Sequence, residues 1–255
     1  PRPQSAAGQI RLRKAARATY DLARGVVVLQ AVLSIVAPIV GAVVTLFVPQ
    51  ARPWVAAIAL LIILLDAAGL DRWQKKLLKL GARFSEAFDC RVLELPWDAF
   101  TAGPQPDPED LRRAEARYER RGKAALADWY PVTVGEAPLH LARLMCQRTN
   151  LHYDSNLRRS YASVLRRTAF AVPVVLALAT AVVTNKITDF LLLLATVTPL
   201  IAWCLREAYR QQDTADALEN LMAQARELWS DALADRCGAD HCAARAREFQ
   251  GAIFN

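Results

Sequence analysis

Residues 139–167 read LHLARLMCQRTNLHYDSNLRRSYASVLRR and run directly into an apolar stretch. Wound as an α-helix at about 100° per residue, they place Arg143, Gln147, Asn150, Asp154, Arg158 and Tyr161 in a stripe roughly 80° wide. Leu144 and Leu151 flank it on one side and Cys146, Tyr153, Leu157 and Val164 on the other. The polar line therefore sits inside an apolar surround rather than opposite one. Buried polar groups need partners, because an unpaired amide or charge is costly. Either neighbouring helices satisfy the stripe or a polar ligand does.

Downstream of it, 18 residues separate Arg167 from Lys186 and carry Pro173, Thr180 and Thr184. At 1.5 Å per residue this is about 27 Å of helix, just enough to span a bilayer core. After the Asn185-Lys186 turn, Ile187 to Leu205 returns, with Asp189, Thr196, Thr198 and Pro199 along it. A similar pair lies upstream. Val26 to Val48 is an apolar run of 23 residues with Pro38 and Gly41 midway, longer than the roughly 7 to 15 residues of a signal-peptide core. Pro49-Gln50-Ala51-Arg52-Pro53 turns it, and Trp54 to Leu70, containing Asp66, forms the second span. The fold class expected is an all-α integral membrane protein with four transmembrane helices as two antiparallel hairpins. Its segments are a basic amphipathic piece (1–24), hairpin 1 (25–70), a cytosolic helical region (71–169), hairpin 2 (170–205) and a C-terminal cytosolic helix (206–255).

Charge sets the orientation. Of the 32 Lys and Arg, Arg52 and Lys186 are the two in the short turns between paired spans, and the other 30 lie on the opposite side. The positive-inside rule then makes both termini cytoplasmic. The net charge of +7 follows from that topology and from contact with anionic lipid, and gives no reason to expect a DNA or RNA polymer as partner. With 54% hydrophobic and 22% charged residues, the chain is too apolar for an ordinary soluble domain and too charged to lie wholly in a membrane. Five cysteines without a pattern read as reduced thiols facing a cytosol. Cys237, His241 and Cys242 lack a second ligand pair at zinc-finger spacing, so no metal is expected. The chain starts at Pro1 and stops within a sequence, Arg247 to Asn255, that reads as continuing. A processed or partial chain is expected.

Within the spans, Asp66, Asp189, Thr180 and Thr196 are candidates for lining a polar path, and Pro38, Pro173 and Pro199 for gating kinks. The alternative is that both acids sit at interface depth and that the threonines bond their own backbone four residues back. In the middle region, Leu77, Leu80, Phe84 and Phe88 recur at helical spacing, and Arg91 to Trp97 alternates like an extended segment. Pro104, Pro106 and Pro108 exclude a helix through Thr101 to Gln105, and at Asp107 a side-chain cap followed by Pro108, Glu109 and Asp110 starts one expected to reach about Trp129. Leu218, Leu221, Ala225, Leu228 and Ala232 give the C-terminal helix a face suited to packing on the central one or to self-association, and the central helix of the same chain is the expected partner.

Taken in order, Leu95-Pro96-Trp97, the Gly103-Pro104 loop, Asp128-Trp129-Tyr130-Pro131, Ala142 to Asn150 and Tyr153 to Arg159 resemble the SMODS-associating four-transmembrane effector family. The segment around Tyr20 and the stretch Arg247 to Phe254 are similar to that family's ends. The resemblance implies a bacterial anti-phage effector of the inner membrane, encoded beside a cyclic-oligonucleotide synthase, that damages the membrane when the messenger accumulates. The cognate nucleotidyltransferase would act through its product. Partners implied are the lipid bilayer, further copies of the chain and a cyclic oligonucleotide, with no resident cofactor.

Ligand-binding or signal-transmitting candidates are Arg143, Gln147, Arg148, Asn150, Tyr153, Asp154, Arg158 and Arg159, with Trp97 and Trp129. Arginines suit phosphates and the aromatic rings suit bases. Equally, Arg143, Asp154 and Arg158 can neutralise one another, and Arg148, Arg159 and Arg166 can lie against lipid. Two other functions fit the residues: a constitutive channel or transporter component, or a membrane scaffold that binds no messenger. An enzyme is not expected, since no P-loop, nucleophile elbow or metal-ligand pair occurs.

Overall fold

Small side chains decide how the first helix packs. In the computed structural model, which describes residues 4–121, 126, 129–183, 187–234 and 236–254, α1 (Ala7–Phe47) joins the basic segment and the first apolar stretch in one helix, roughly 60 Å long. Ala15, Ala16, Ala18 and Ala23 are buried along it. They let α1 lie close to α3 (Asp71–Val92), where Gly81 takes the ring of Tyr20. A Cβ at position 81 would stand 2.9 Å from Tyr20 Cε1. Ala23, Val26 and Leu77 continue the seam.

A 3₁₀ turn, Pro49–Ala51, reverses the chain as the proline pair predicts, and α2 (Arg52–Leu65) returns. It does not stop at the end of the apolar run. Asp66–Leu70 forms a π-helical turn with α-helical residues at both ends, so α2 passes into α3 as one rod. Asp66 Oδ1 accepts a hydrogen bond from Gln30 Nε2 at 2.6 Å, tying the π-turn to α1.

Beyond α3 the sequence expectation fails locally. Arg91 to Trp97 is a helix end and a loop, and the described residues contain no strand. Leu93 N donates to Asp89 O, Leu95 N donates to Cys90 O, and Glu94 takes φ 53°. This left-handed closure satisfies the last helical carbonyls and leaves no extended run. Asp98 then caps α4 (Ala99–Ala102), its carboxylate accepting from Phe100 N at 2.9 Å and from Thr101 Oγ1 at 2.7 Å. Asp107 and Pro108 start α5 (Pro108–Arg120) at the expected place, although the Asp107 side chain makes no capping bond. The helix ends at Arg120 rather than near Trp129. Tyr118 is its last buried apolar residue, and the charged Glu119, Arg120 and Arg121 follow it.

The chain divides into two units, Pro1–Arg143 with Ala244–Asn255, and Leu144–Ala243. The second is built on α6 (Leu139–Val183) and α7 (Ile187–Leu233), two long helices that cross from polar to apolar sequence without a break. They pair antiparallel through Ala162, Leu165, Ala169, Cys204 and Ala208. The C-terminal face expected to pack is buried at Leu218, Ala225 and Leu228. α8 (Ala239–Phe254) closes the chain.

The fold class is all-helical among the described residues, as expected. Among those residues one helix, Leu139–Val182, is long and apolar enough to cross a membrane, and Pro53–Ile62 is a shorter apolar helix. Other large apolar side chains stand uncovered along the predicted spans, among them Val28, Val32, Val36 and Val40 on α1, Ile58, Leu61 and Leu64 on α2, and Val174, Leu178 and Val182 on α6.

Candidate functional site

The densest polar cluster of the first unit is one that the amphipathic pattern conceals. At its C-terminal end α3 is buried on nearly every side, with Phe84, Glu86, Ala87, Phe88, Asp89, Cys90 and Val92 all inside. Glu86 and Asp89 are thus carboxylates in a core, 2% and 7% exposed. Their partners come from the far end of the chain. Arg247 on α8 donates from Nη2 to Glu86 Oε1 at 3.0 Å and from Nη1 to Pro96 O at 3.0 Å. One turn on, Gln250 Nε2 donates to Glu86 Oε2 at 2.7 Å and to Asp89 Oδ2 at 3.3 Å. Tyr130 Oη donates to Asp89 Oδ1 at 2.7 Å.

Burial dominates the electrostatics here. It pushes the Asp89 carboxyl up to about 6, against the opposing bond from Tyr130, with the Glu86 charge adding to the rise. Burial followed by the Glu86 charge pushes the Cys90 thiol up to about 12, so that it stays protonated. Arg13 completes the cluster. Its guanidinium lies 3.7 Å from the centroid of Trp129 and 5.1 Å from that of Phe88, held between two rings. Gln4 fixes Tyr130 through both of its backbone groups.

Beside this cluster lies an open groove of about 1040 Å³ between α1, the end of α3 and the proline loop. Arg11, Arg91 and Trp97 line it, together with the acids Glu94 and Asp107. Trp97 is fixed by an Nε1 bond to Gly103 O at 2.9 Å. Arg91 is exposed. Arg11 is held by Glu115 at 2.8 Å. Of the sequence candidates, then, Trp97 faces a cavity, while Trp129 already has Arg13 over its ring.

The polar stripe of α6 is not one network. Arg143 donates from Nε to Leu93 O at 2.7 Å and from Nη2 to Glu94 O at 2.8 Å, holding the end of α3 rather than Asp154. Asp154 pairs with Arg158 at 2.9 Å, and Arg158 also donates to Gln211 Oε1 at 3.0 Å. The expected mutual neutralisation therefore holds for Asp154 and Arg158 and excludes Arg143. Gln147 is fully buried and Asn150 partly so. Nor is the surround apolar on both sides in the same sense. Leu144, Cys146 and Leu151 are buried, whereas Tyr153, Leu157 and Val164 are each more than half exposed.

Arg148 is exposed, but Arg159 and Arg166 are not simply turned to lipid. Arg159 pairs with Asp216 and Glu219, and Arg166 donates to Gln212 Oε1 at 2.8 Å, all on α7. In the apolar stretches Thr180 bonds Leu176 O and Ala177 O of its own helix. Pro173 lies within the unbroken α6. The side chains of Pro38, Asp189, Thr196 and Pro199 lie outside the described residues. Among the described residues no three His, Cys, Asp or Glu side chains converge as a metal site would need.

Compared with known proteins, the chain matches the SMODS-associating 4TM effector domain over residues 1–255. It belongs to that family. Membership points to a membrane protein. The chain is also similar to a probable CBASS effector molecule of Bacillus cereus (strain VD146), with 24% identity over 168 residues covering 64% of this chain and 56% of that protein. The chain thus spans just over half the length of that curated relative. No solved structure matches it.

Sequence reasoning missed Glu86, Asp89, Arg13 and Gln250. The signal available was weak: two acids three residues apart beside Phe84 and Phe88 on one helix.

Proposed function

We propose that this chain is a CBASS effector of anti-phage defence in the bacterial inner membrane. It crosses four times with both termini cytoplasmic, and a cyclic-oligonucleotide messenger triggers copies of it to rearrange and breach the bilayer. The observation that carries the reading is α6, a single helix from the packed stripe at Leu139 to Val183 in the apolar stretch. A shift in stripe packing reaches the membrane without a flexible linker to absorb it. Uncovered apolar residues along all four predicted spans support the crossings.

Tyr153, Leu157 and Val164 support self-association, since they leave an apolar face of α6 uncovered outside the apolar run. For the messenger, the groove at Trp97 and Arg91 fits better than the stripe, whose Arg143, Arg158 and Arg159 are engaged elsewhere. In this reading the effector performs no covalent chemistry and needs no cofactor.

The test is expression with and without the active cognate synthase while membrane potential is followed. Depolarisation only with the synthase is expected, and Leu157→Arg, on an exposed face, should abolish it while leaving the monomer folded. Depolarisation without the synthase would instead establish a constitutive channel.

A further inference from the structure

The connection between α7 and α8 brings two sulfurs together. Arg236 N donates to Asp231 O, and the Arg236 guanidinium bonds Asp231 Oδ1 from both Nε and Nη2, which fixes the chain just after α7. Cys242 N donates to Gly238 O, starting α8. Between these two anchors Cys237 Sγ and Cys242 Sγ lie 2.9 Å apart. Disulfide bonding needs about 2.05 Å, so closure calls for a side-chain adjustment of under about 1 Å. The two thiols differ in access, Cys237 being partly exposed and Cys242 fully buried.

We infer that Cys237 and Cys242 form an oxidisable dithiol, a modification site at which a small disulfide of the glutathione type closes an intramolecular disulfide across the start of α8. The order of events follows from access. Cys237, as thiolate, attacks one sulfur of the small disulfide; that S–S bond breaks, one small thiolate leaves, and a mixed disulfide forms on Cys237. Cys242 then gives its proton to solvent and attacks Cys237 Sγ, expelling the second small thiolate. Two protein thiols are oxidised and one disulfide is reduced to two thiols, so the exchange balances. Burial, with the neighbouring Cys237 sulfur, pushes the Cys242 thiol up to about 11, which suits it to resolve the mixed disulfide rather than to start the exchange. Closure staples the first turn of the helix whose Arg247 and Gln250 cover Glu86 and Asp89.

Cleavage after Arg236 and Arg245 releases both cysteines in the single peptide Cys237–Arg245. The full chain, purified in detergent and reduced, is exposed to oxidised glutathione, quenched in acid, alkylated, digested and weighed. The expected peptide is two hydrogens lighter, carries no alkyl group and is restored by dithiothreitol. Cys242→Ser should hold the exchange at a stable glutathione adduct on Cys237, and Cys237→Ser should block it. A wild-type chain that accumulates the adduct with Cys242 still alkylated after unfolding overturns the inference. So does one whose Cys237 does not react under conditions that oxidise an exposed model thiol.

Discussion

Replacing Asp89 with Asn isolates one proton in the cluster beneath α8. In the folded chain the Asp89 carboxyl is pushed up to about 6 from an ordinary 3.8, first by burial. A folded pKa above the unfolded one means that the folded state binds the proton more tightly. The stabilisation it brings is complete below about pH 3.8 and is lost as pH rises through about 6. Between about pH 4.5 and about pH 7.5 the loss is about 2 kcal/mol, or roughly 25-fold in the equilibrium for uncovering Asp89. Asn carries no such proton, so Asp89→Asn should show none of this dependence.

Because α8 covers the carboxylates through Arg247 and Gln250, amide hydrogen exchange along residues 246–254 reports the opening. Corrected for intrinsic rates, wild-type protection should fall by the worked factor more than that of the variant across this range. Glu86, Arg13, Tyr130 and Arg247 are present in both proteins, so the two chains differ in sequence at position 89 alone. Identical pH responses in the two proteins would refute the argument.

Arg247→Ala should cost up to about 3–5 kcal/mol in unfolding experiments, because it leaves the Glu86 carboxylate buried with Gln250 as its remaining α8 donor. Arg143→Ala removes the donors to two carbonyls at the end of α3; a loss of about 1–3 kcal/mol in denaturant unfolding is expected, with Arg143→Lys recovering part of it. Gly103 sits at φ 75° and ψ −161°, and a Cβ there would come 2.9 Å from Arg83 Nη2; Gly103→Ala should lower stability by about 1–3 kcal/mol by the same measure. If the groove takes the proposed messenger, Arg91→Ala, at an exposed position in it, should weaken titrated cyclic-oligonucleotide binding roughly tenfold while leaving the melting temperature unchanged.

What the sequence disclosed and what it hid follow from the range of the interactions. Helices came from local periodicity and turn chemistry. Pro49 and Pro53 mark the first reversal, Pro108 marks the start of α5, and Leu218, Ala225 and Leu228 form a packed face, all legible within a few residues. The end of α3 was misread because alternation over Arg91 to Trp97 is short, and the left-handed closure at Glu94 depends on hydrogen bonds that composition does not encode. The buried cluster was invisible for a different reason. Glu86 and Arg247 are 161 residues apart in the chain. A helix covered on one face by α1 and on another by α8 shows no single apolar stripe, so Glu86 and Asp89 look like ordinary solvated acids.

The stripe on α6 shows both outcomes in one helix. Its angular pattern correctly placed Leu144 and Leu151 on a buried side, and demanded partners for Arg143, Asp154 and Arg158. Periodicity cannot say which partners. Arg143 turns to the carbonyls of α3 while Arg158 turns to Asp154 and to Gln211 on α7, so neighbouring members of one stripe are satisfied in different units of the chain. The stripe is therefore better described as the place where α6 passes from one set of obligations to another, with Arg143 the last residue of the first unit. A messenger that disturbed the end of α3, where Arg143 holds the carbonyls of Leu93 and Glu94 beside the groove residues Glu94 and Leu95, would act on the residue at which α6 leaves the first unit. Arg143→Lys tests that link directly. If the end of α3 transmits the signal, the substitution should reduce depolarisation by the cognate synthase while messenger binding measured by titration is retained; loss of both together would place Arg143 in the binding site instead.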